Sequence, residues 1–186
     1  WLQDARPHPS SIQGHCSRGL VVTMKGRLPL FAVGLVSAYL LSILSIHIAA
    51  PDDPIEPVEF PTICPDDSLN CSMIGPNHHR SGNITEIRIN ASLEEVMDEV
   101  RKWVDSQSGT TTIGDWPEQT HAVFRTLIMR FPDDFVVRGF CDDGDSVLHV
   151  YSKSRLGISD LGVNKARIES FADYMINVEM ATSECA

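Results

Sequence analysis

The chain has 186 residues, enough for one domain and a leader, and its 42% hydrophobic content argues against wholesale disorder. The formal net charge is −10 at pH 7 and is unevenly distributed. Residues 1–50 contain four basic residues and one acidic residue, a charge of +3, so the remainder carries −13. A domain this acidic repels phosphate backbones, which argues against nucleic acid as a partner.

The first fifty residues divide into two segments. Residues 1–23 have no regular hydrophobic pattern, and we expect them to be a leader or read-through segment outside the fold. In segment 24–50, Lys25 and Arg27 precede a stretch, 28–50, that contains no Asp, Glu, Lys or Arg. As a helix this stretch would reach about 34 Å at about 1.5 Å per residue, enough to cross a bilayer.

The orientation and processing of segment 24–50 follow from its flanks. The basic flank predicts that the N-terminal side stays cytosolic and that the domain lies on the extracytoplasmic side, along the secretory route or in an organelle such as a plastid. The long apolar run favours an uncleaved signal anchor, whereas Ala49 and Ala50 favour a cleaved signal peptide. A buried soluble helix is a third interpretation, although the segment lacks a polar face. We expect a membrane to be the partner of residues 28–50.

Segment 51–63 contains four prolines and four acidic residues, which predicts an extended tether to a domain spanning 64–182. Cys64 and Cys71 flank a short loop, and an oxidising compartment would favour a disulfide between them. In the chain-entropy model such a loop closure adds about 2–3 kcal/mol. Free thiols, or a metal site with His78 and His79, are the alternatives. The cysteine spacing is wider than in usual zinc pairs, so we expect no metal and no cofactor.

The domain shows one clear helix start and a run of strands. Residues 85–90 alternate as a strand, and Ser92 with Glu95 forms a capping box that begins a helix. Further strands are expected at 110–113, 122–131, 135–141 and 147–152, with turns at 132–134 and 142–145. The apolar faces of the first and last helices are formed by Leu93, Val96, Met97, Val100, Trp103 and Val104, and by Ile168, Phe171, Ala172, Met175 and Ile176.

The predicted fold class is α+β: an antiparallel sheet of about five strands covered by two helices, preceded by the transmembrane or signal segment. The order of elements is similar to that of helix-grip folds, which hold apolar ligands between the sheet and the last helix. This similarity is an analogy at the level of the fold and does not establish a function.

One segment carries a longer motif. Residues 147–169 read VLHVYSKSRLGISDLGVNKARIE, and they follow the pattern S-x-S-R-x-G-x-S-D-x-G-x-N-x-x-R-I-E from Ser152 to Glu169. This stretch resembles the closing motif of the domain-of-unknown-function family numbered 1499. The turn 130–134 and the opening 64–71 are also similar, so the resemblance covers about residues 61–178. It implies a shared fold but no established activity.

The motif contains the candidate ligand-binding residues. Two guanidinium groups beside a Ser-Asp loop could hold a carboxylate or phosphate, which makes candidates of Arg155, Ser159, Asp160, Asn164 and Arg167. The structural alternative is that Arg155 or Arg167 pairs with Asp160 and locks the loop. In that interpretation Ser159 or Asp160 accepts backbone hydrogen bonds, Asn164 caps the helix, and the loop glycines supply positive φ angles.

Two further constellations suggest chemistry but lack supporting context. His149, Ser159 and Asp160 are residue types of a hydrolase triad, but no Gly-x-Ser-x-Gly elbow accompanies them. Asp142, Asp143 and Asp145 suggest calcium, but they lack the closing Glu of a twelve-residue loop, so a solvated turn is favoured.

Two hypotheses about function follow. The first is a membrane-tethered extracytoplasmic domain that acts as a non-enzymatic binding or accessory module for a lipid or another apolar or anionic small ligand. The alternative is a hydrolase that uses the Ser159–Asp160 loop. An apolar pocket with an arginine at its mouth would favour the first hypothesis, and a base within hydrogen-bond reach of a serine would favour the second.

Overall fold

A computed structural model describes residues 27–65 and 67–185, which form two compact units that divide after Ala38. The leader 1–23 lies outside the described residues. Helix α1, Arg27–Ala49, begins in the first unit and ends in the second. By length and composition alone, its segment Pro29–Ala49 is apolar enough to cross a membrane, a test that signal sequences also pass.

The second unit is an antiparallel sheet with two helices on one face, as the sequence predicted, although the sheet has six strands where about five were expected. The strands follow the order β1-β6-β5-β4-β3, and β2 also pairs with β6. The elements in chain order are β1 Cys71–Ile74, β2 Ile87–Ile89, α2 Leu93–Ser106, β3 Thr110–Trp116, β4 Gln119–Arg125, β5 Pro132–Asp142, β6 Asp145–Ser154 and α3 Val163–Asn177.

Two boundaries of predicted strands differ clearly from the prediction, and one strand was not predicted. β4 ends at Arg125 rather than at residue 131. The stretch 132–134, predicted as a turn, is the start of β5, where Asp133 pairs with both Phe124 and Ser154. Proline is tolerated at the first position of a strand because no ladder hydrogen bond is required of it there. β1 was not predicted; it has only four residues, all of them buried.

Helix α2 begins with half of the predicted capping box. The Ser92 hydroxyl accepts a hydrogen bond from the Glu95 backbone N–H, as expected. The Glu95 carboxylate, however, accepts from the N–H of Ala181, and the N–H of Ser92 donates to Ser183. The C-terminal segment therefore takes over part of the capping of α2.

The main core lies between the sheet and the two helices. Trp103, Phe124, Phe135 and Phe171 form an aromatic cluster with ring centroids 5.0–6.1 Å apart. Gly139 permits close approach of α2 to β5, because a Cβ at this position would lie 2.7 Å from Leu93. Ile168, Phe171, Ala172 and Met175 of α3 are buried in this core. Ile176, predicted to be buried, is 61% exposed.

Two cysteine pairs lie at disulfide-bonding distance. The sulfur atoms of Cys64 and Cys71, the expected pair, are 2.02 Å apart. The sulfur atoms of Cys141 and Cys185 are 1.97 Å apart, a pairing that the sequence analysis did not propose. The second pair joins the C-terminal segment to the end of β5.

The stretch 51–63, here called the arm, lies on the sheet face opposite the helices. It contains one short 3₁₀ helix, Pro57–Glu59, between stretches without regular structure, and it is docked on the domain rather than standing free as a tether. The N–H of Ile55 donates to His121 Nδ1, and its carbonyl accepts from Gln119. Phe60 packs in a second apolar cluster with Cys64, Cys71, Met73, Val136 and Tyr151. The outer face of the sheet is therefore partly covered by the chain that follows α1.

Candidate functional site

The motif segment holds a buried polar network between β6 and α3. Asn164 is fully buried in the first turn of α3, so it is not the helix cap that was predicted. Its Oδ1 lies 2.7 Å from the Ser152 hydroxyl, and its Nδ2 donates to the Asn70 carbonyl and the Ser154 hydroxyl. Each polar atom of this amide is thus satisfied without water, which is what burial of an amide requires.

Arg167 extends this network to β5. It donates to Asp133 at 2.9 Å, and both side chains are less than one-tenth exposed. Its guanidinium carbon also lies 4.3 Å from the centroid of the Phe124 ring. A paired and stacked guanidinium tolerates burial. The charge of Arg167 is therefore balanced inside the domain by Asp133.

Asp160 caps α3. Its carboxylate accepts from the N–H groups of Gly162 and Asn164, at 2.9 and 2.8 Å. Burial alone would raise the pKa of Asp160, but these backbone hydrogen bonds and the Arg80 guanidinium outweigh burial and lower it. The Asp160 side chain is 2% exposed, and its ionic partner is Arg80 at 3.3 Å. Neither predicted partner, Arg155 or Arg167, contacts Asp160, so the predicted loop lock is wrong in its pairing.

Arg155 pairs instead with Asp134 and Asp52. Its Nη2 lies 2.7 Å from Asp134, and its Nη1 lies 3.0 Å from Asp52 in the arm. Asp134 also accepts from the buried His121, at 2.7 Å. Burial would raise the pKa of Asp134, but the hydrogen bonds from His121 and Arg155 lower it. These ion pairs and the hydrogen bond from His121 fix the arm to the sheet.

The residues of the hydrolase hypothesis are not brought together. The Ser159 hydroxyl accepts from the Leu161 N–H, and the Asp160 carboxylate is occupied as described above. His149 lies within β6, five residues before its last residue, Ser154, whereas Ser159 and Asp160 are in the loop after this strand. Its ring contacts Phe140 at a centroid distance of 4.9 Å. Among the described residues, no hydrogen bond joins His149 to Ser159 or Asp160.

The carboxylates of the acidic turn between β5 and β6 pair with an arginine of β2, Arg88. Arg88 lies 2.6 Å from Asp142 and 3.7 Å from Asp145. Within 27–65 and 67–185, no group of three or more His, Cys, Asp or Glu residues is placed to hold a metal ion.

A cleft of about 340 Å³ opens on the outer face of the sheet, between β5, β6 and the arm. Most of its surface is apolar. Its lining residues come from four separate parts of the chain: Phe60, Thr62, Met73, Pro76, Asn77, Arg138, Phe140 and His149. The volume falls in the range of small-molecule sites, roughly 300–1,000 Å³.

Arg138 and His149 are the titratable groups of the cleft, and they face each other across β5 and β6. In the part of the chain that the structure describes, the Arg138 side chain has no hydrogen bond and no carboxylate partner. Burial, followed by the nearby Arg138 charge, lowers the pKa of His149, and the weaker attraction of Glu86 does not restore it. The cleft thus combines an apolar wall, one fixed cation and one neutral imidazole at pH 7.

The sequence analysis did not identify this cleft. Arg138 and His149 occupy alternating positions of two predicted strands, so their shared face could have been proposed from a correct hairpin register. Phe60 lies in segment 51–63, which was predicted to be a tether, so its contribution to one wall of the cleft was not predicted. The predicted site residues instead hold β5, β6, α3 and the arm together.

The profile of a family described as "Protein of unknown function (DUF1499)" matches residues 51–175. This range includes the arm, the sheet, α2 and most of α3. A comparison with curated proteins found no match.

Proposed function

The chain belongs to the family described as Protein of unknown function (DUF1499), and we propose that its domain is a non-enzymatic binding module held by α1 on the extracytoplasmic side of a membrane. The ligand is a small molecule with an apolar body and one anionic group, a carboxylate or a phosphate. The observation that carries this proposal is Arg138, a partly buried guanidinium without a carboxylate partner in the described chain, on the wall of an apolar cleft.

The chemistry of the cleft supports this class of ligand. A partly buried cation is stabilised when an anion binds, and a charge-assisted hydrogen bond from a guanidinium to a carboxylate or phosphate is strong and directional. Phe60, Met73 and Phe140 provide apolar surface for the body of the ligand. The two disulfide-distance cysteine pairs support an oxidising location for the domain.

The proposal is tested by titrating the full chain in lipid nanodiscs with phenyl phosphate and with benzoate, using empty nanodiscs as the blank. We expect saturable binding that Arg138→Gln weakens about tenfold or more, because a hydrogen bond to a charged group contributes roughly 1.5–3 kcal/mol.

Lys153→Gln is the matched control. Lys153 is a cation on the outer face of β6 that does not line the cleft, so its loss should leave the affinity unchanged. Benzyl alcohol, the neutral analogue, should bind wild type and Arg138→Gln equally. Equal effects of the two substitutions on phenyl phosphate, or no saturable binding of either anion, would refute the proposal.

A further inference from the structure

The exposed apolar side chains of the domain are concentrated at one end of the sheet. This end, here called the α1 end, is formed by the last residues of β4 and β6 and the first residues of β5. Outside α1, the described chain has eleven large apolar side chains that are exposed. Eight of them lie in the segments at this end: Leu69, Leu127, Ile128, Met129, Phe131, Ile158, Leu161 and Val163.

The most exposed of these residues are on two loops, 126–131 and 155–162. Leu127 is 90% exposed, and Ile158 and Leu161 are 89% and 96% exposed. Loop 126–131 is a defined turn, since Thr126 exchanges hydrogen bonds with Phe131 and Arg130. Loop 155–162 is fixed by the Asp160 cap and by Asn70, which donates to the Gly157 carbonyl. These hydrogen bonds fix the backbone of both loops, and the apolar side chains of the loops remain exposed to solvent.

The chain connects to α1 at this same end. Asp52, three residues after the last residue of α1, pairs with Arg125 at the end of β4 and with Arg155 just after β6. Within the second unit, the Tyr39 hydroxyl donates to the Ile128 carbonyl at 2.8 Å. Loop 126–131 thus contacts the part of α1 that belongs to the second unit.

The opposite end of the sheet has the opposite character. The turn between β5 and β6 carries Asp142, Asp143 and Asp145, and the turn between β3 and β4 carries Glu118. An anionic membrane surface would repel that end.

We propose that the α1 end of the domain is a lipid-docking surface, with loops 126–131 and 155–162 inserted into the bilayer that α1 occupies. Large exposed apolar side chains next to basic residues are typical of segments that bind at a membrane interface, and Arg130 provides such a cation in the first loop. This proposal rests on the proposed anchoring of the domain by α1 and is independent of the outer-face cleft.

The test uses the full chain in phosphatidylcholine liposomes, with Cys16→Ser to remove the cysteine outside the two pairs. A polarity-sensitive fluorophore is attached at Leu127→Cys, at Leu161→Cys or at the control Val58→Cys. Val58 is 88% exposed on the arm, away from the α1 end. Nitroxide-labelled lipids should quench the fluorophore at positions 127 and 161 several-fold more than at position 58.

Equal quenching at all three positions would overturn the proposal. So would protection of positions 127 and 161 from aqueous iodide without quenching by lipid nitroxides, because that outcome indicates a protein on this surface. In the unmodified chain, a carbene precursor dissolved in the lipid should label peptides that contain 127–131 and 158–163. The absence of label in both would also overturn the proposal.

Discussion

Arg155 joins distant parts of the chain, since its guanidinium contacts both Asp52 in the arm, 103 residues earlier, and Asp134 in β5, 21 residues earlier. Both members of the Arg155–Asp134 pair are largely buried, at 12% and 14% exposure. Removal of one member leaves the other charged in a poorly solvated place. The ion pairs of Arg155 therefore give this residue of the motif a structural role.

Arg155→Gln should lower the free energy of unfolding by about 3 kcal/mol, the lower end of the range for breaking a buried pair, because both side chains keep some solvent contact. Arg155→Gln combined with Asp134→Asn should cost less than the sum of the two single changes. Denaturant unfolding of the full chain in detergent measures these differences. Arg88→Gln removes a more exposed pair with Asp142 and should lower the free energy of unfolding much less than Arg155→Gln does. Additive effects of the first two substitutions would contradict the pairing.

His149 gives the cleft a pH dependence. Its pKa is lowered in the free domain by burial and by Arg138, so the imidazole is neutral at pH 7. A bound anion raises the pKa of His149, because it stabilises the imidazolium. The affinity for benzenesulfonate, an anion of constant charge over this range, should therefore be constant well above the usual histidine pKa of about 6.5. It should rise as the pH falls through the pKa of the bound state, and level off below the pKa of the free domain.

Titrations of wild type and His149→Asn between pH 8 and pH 5 check this. Benzenesulfonate, whose charge is constant over this range, separates the titration of the ligand from that of the protein. A rise in benzenesulfonate affinity that persists in His149→Asn would assign the pH dependence to another group.

At the scale of elements, the regular periodicity of apolar residues was sufficient to predict the helices and the central strands of the sheet. α2 and α3 have apolar residues at helical spacing, and β5 and β6 alternate across one clear turn. The errors occur where tertiary contacts override local chemistry. Pro132, Asp133 and Asp134 favour a turn locally, but pairing on both sides and neutralisation by Arg155 and Arg167 hold them in a strand.

The candidate site was harder to predict for the same reason. The predicted pairing of Arg155 with Asp160 used residues close in sequence, whereas the actual partners are 21 and 103 residues away. A cleft assembled from distant segments leaves no spacing pattern in the sequence. The position of the arm on the sheet was not predicted, because proline and acid content indicate an extended backbone but not the surface on which that backbone lies.

The pair Cys141–Cys185 should hold the C-terminal segment in place. It closes a loop with a sequence separation of 44, and the chain-entropy model gives about 4 kcal/mol for a loop of this size. Serine at both positions should lower stability by up to that amount. It should also speed amide hydrogen exchange at the start of α2, because Ala181 and Ser183 contact Glu95 and Ser92.

Replacement of Cys64 and Cys71 by serine is the matched control. It should cost about 2–3 kcal/mol in the same model and leave exchange at the start of α2 unchanged. Hydrogen exchange with mass spectrometry, together with peptide mapping without reduction, measures both effects. Free thiols at all four positions in protein from its native compartment would contradict both pairings.

At the scale of the whole molecule, the proposal of an uncleaved anchor and an extracytoplasmic domain makes a joint prediction. In sealed vesicles the domain should resist added protease, and after carbonate extraction the chain should stay with the membrane. Detergent should restore cleavage, which is the control for sealing. Release by carbonate would show that α1 does not anchor the domain, and cleavage without detergent would contradict the proposed side of the membrane.

The docked arm also has a consequence for the order of events during synthesis. Translation produces the arm immediately after α1, but Arg125 and Arg155, which bind Asp52, follow 73 and 103 residues later. His121 follows Ile55 by 66 residues. Contacts of such long sequence separation form slowly. The arm is therefore among the first parts of the domain to leave the ribosome and among the last to acquire its final position. Its contacts with the sheet can be completed only after β6 and Arg155 have been synthesised.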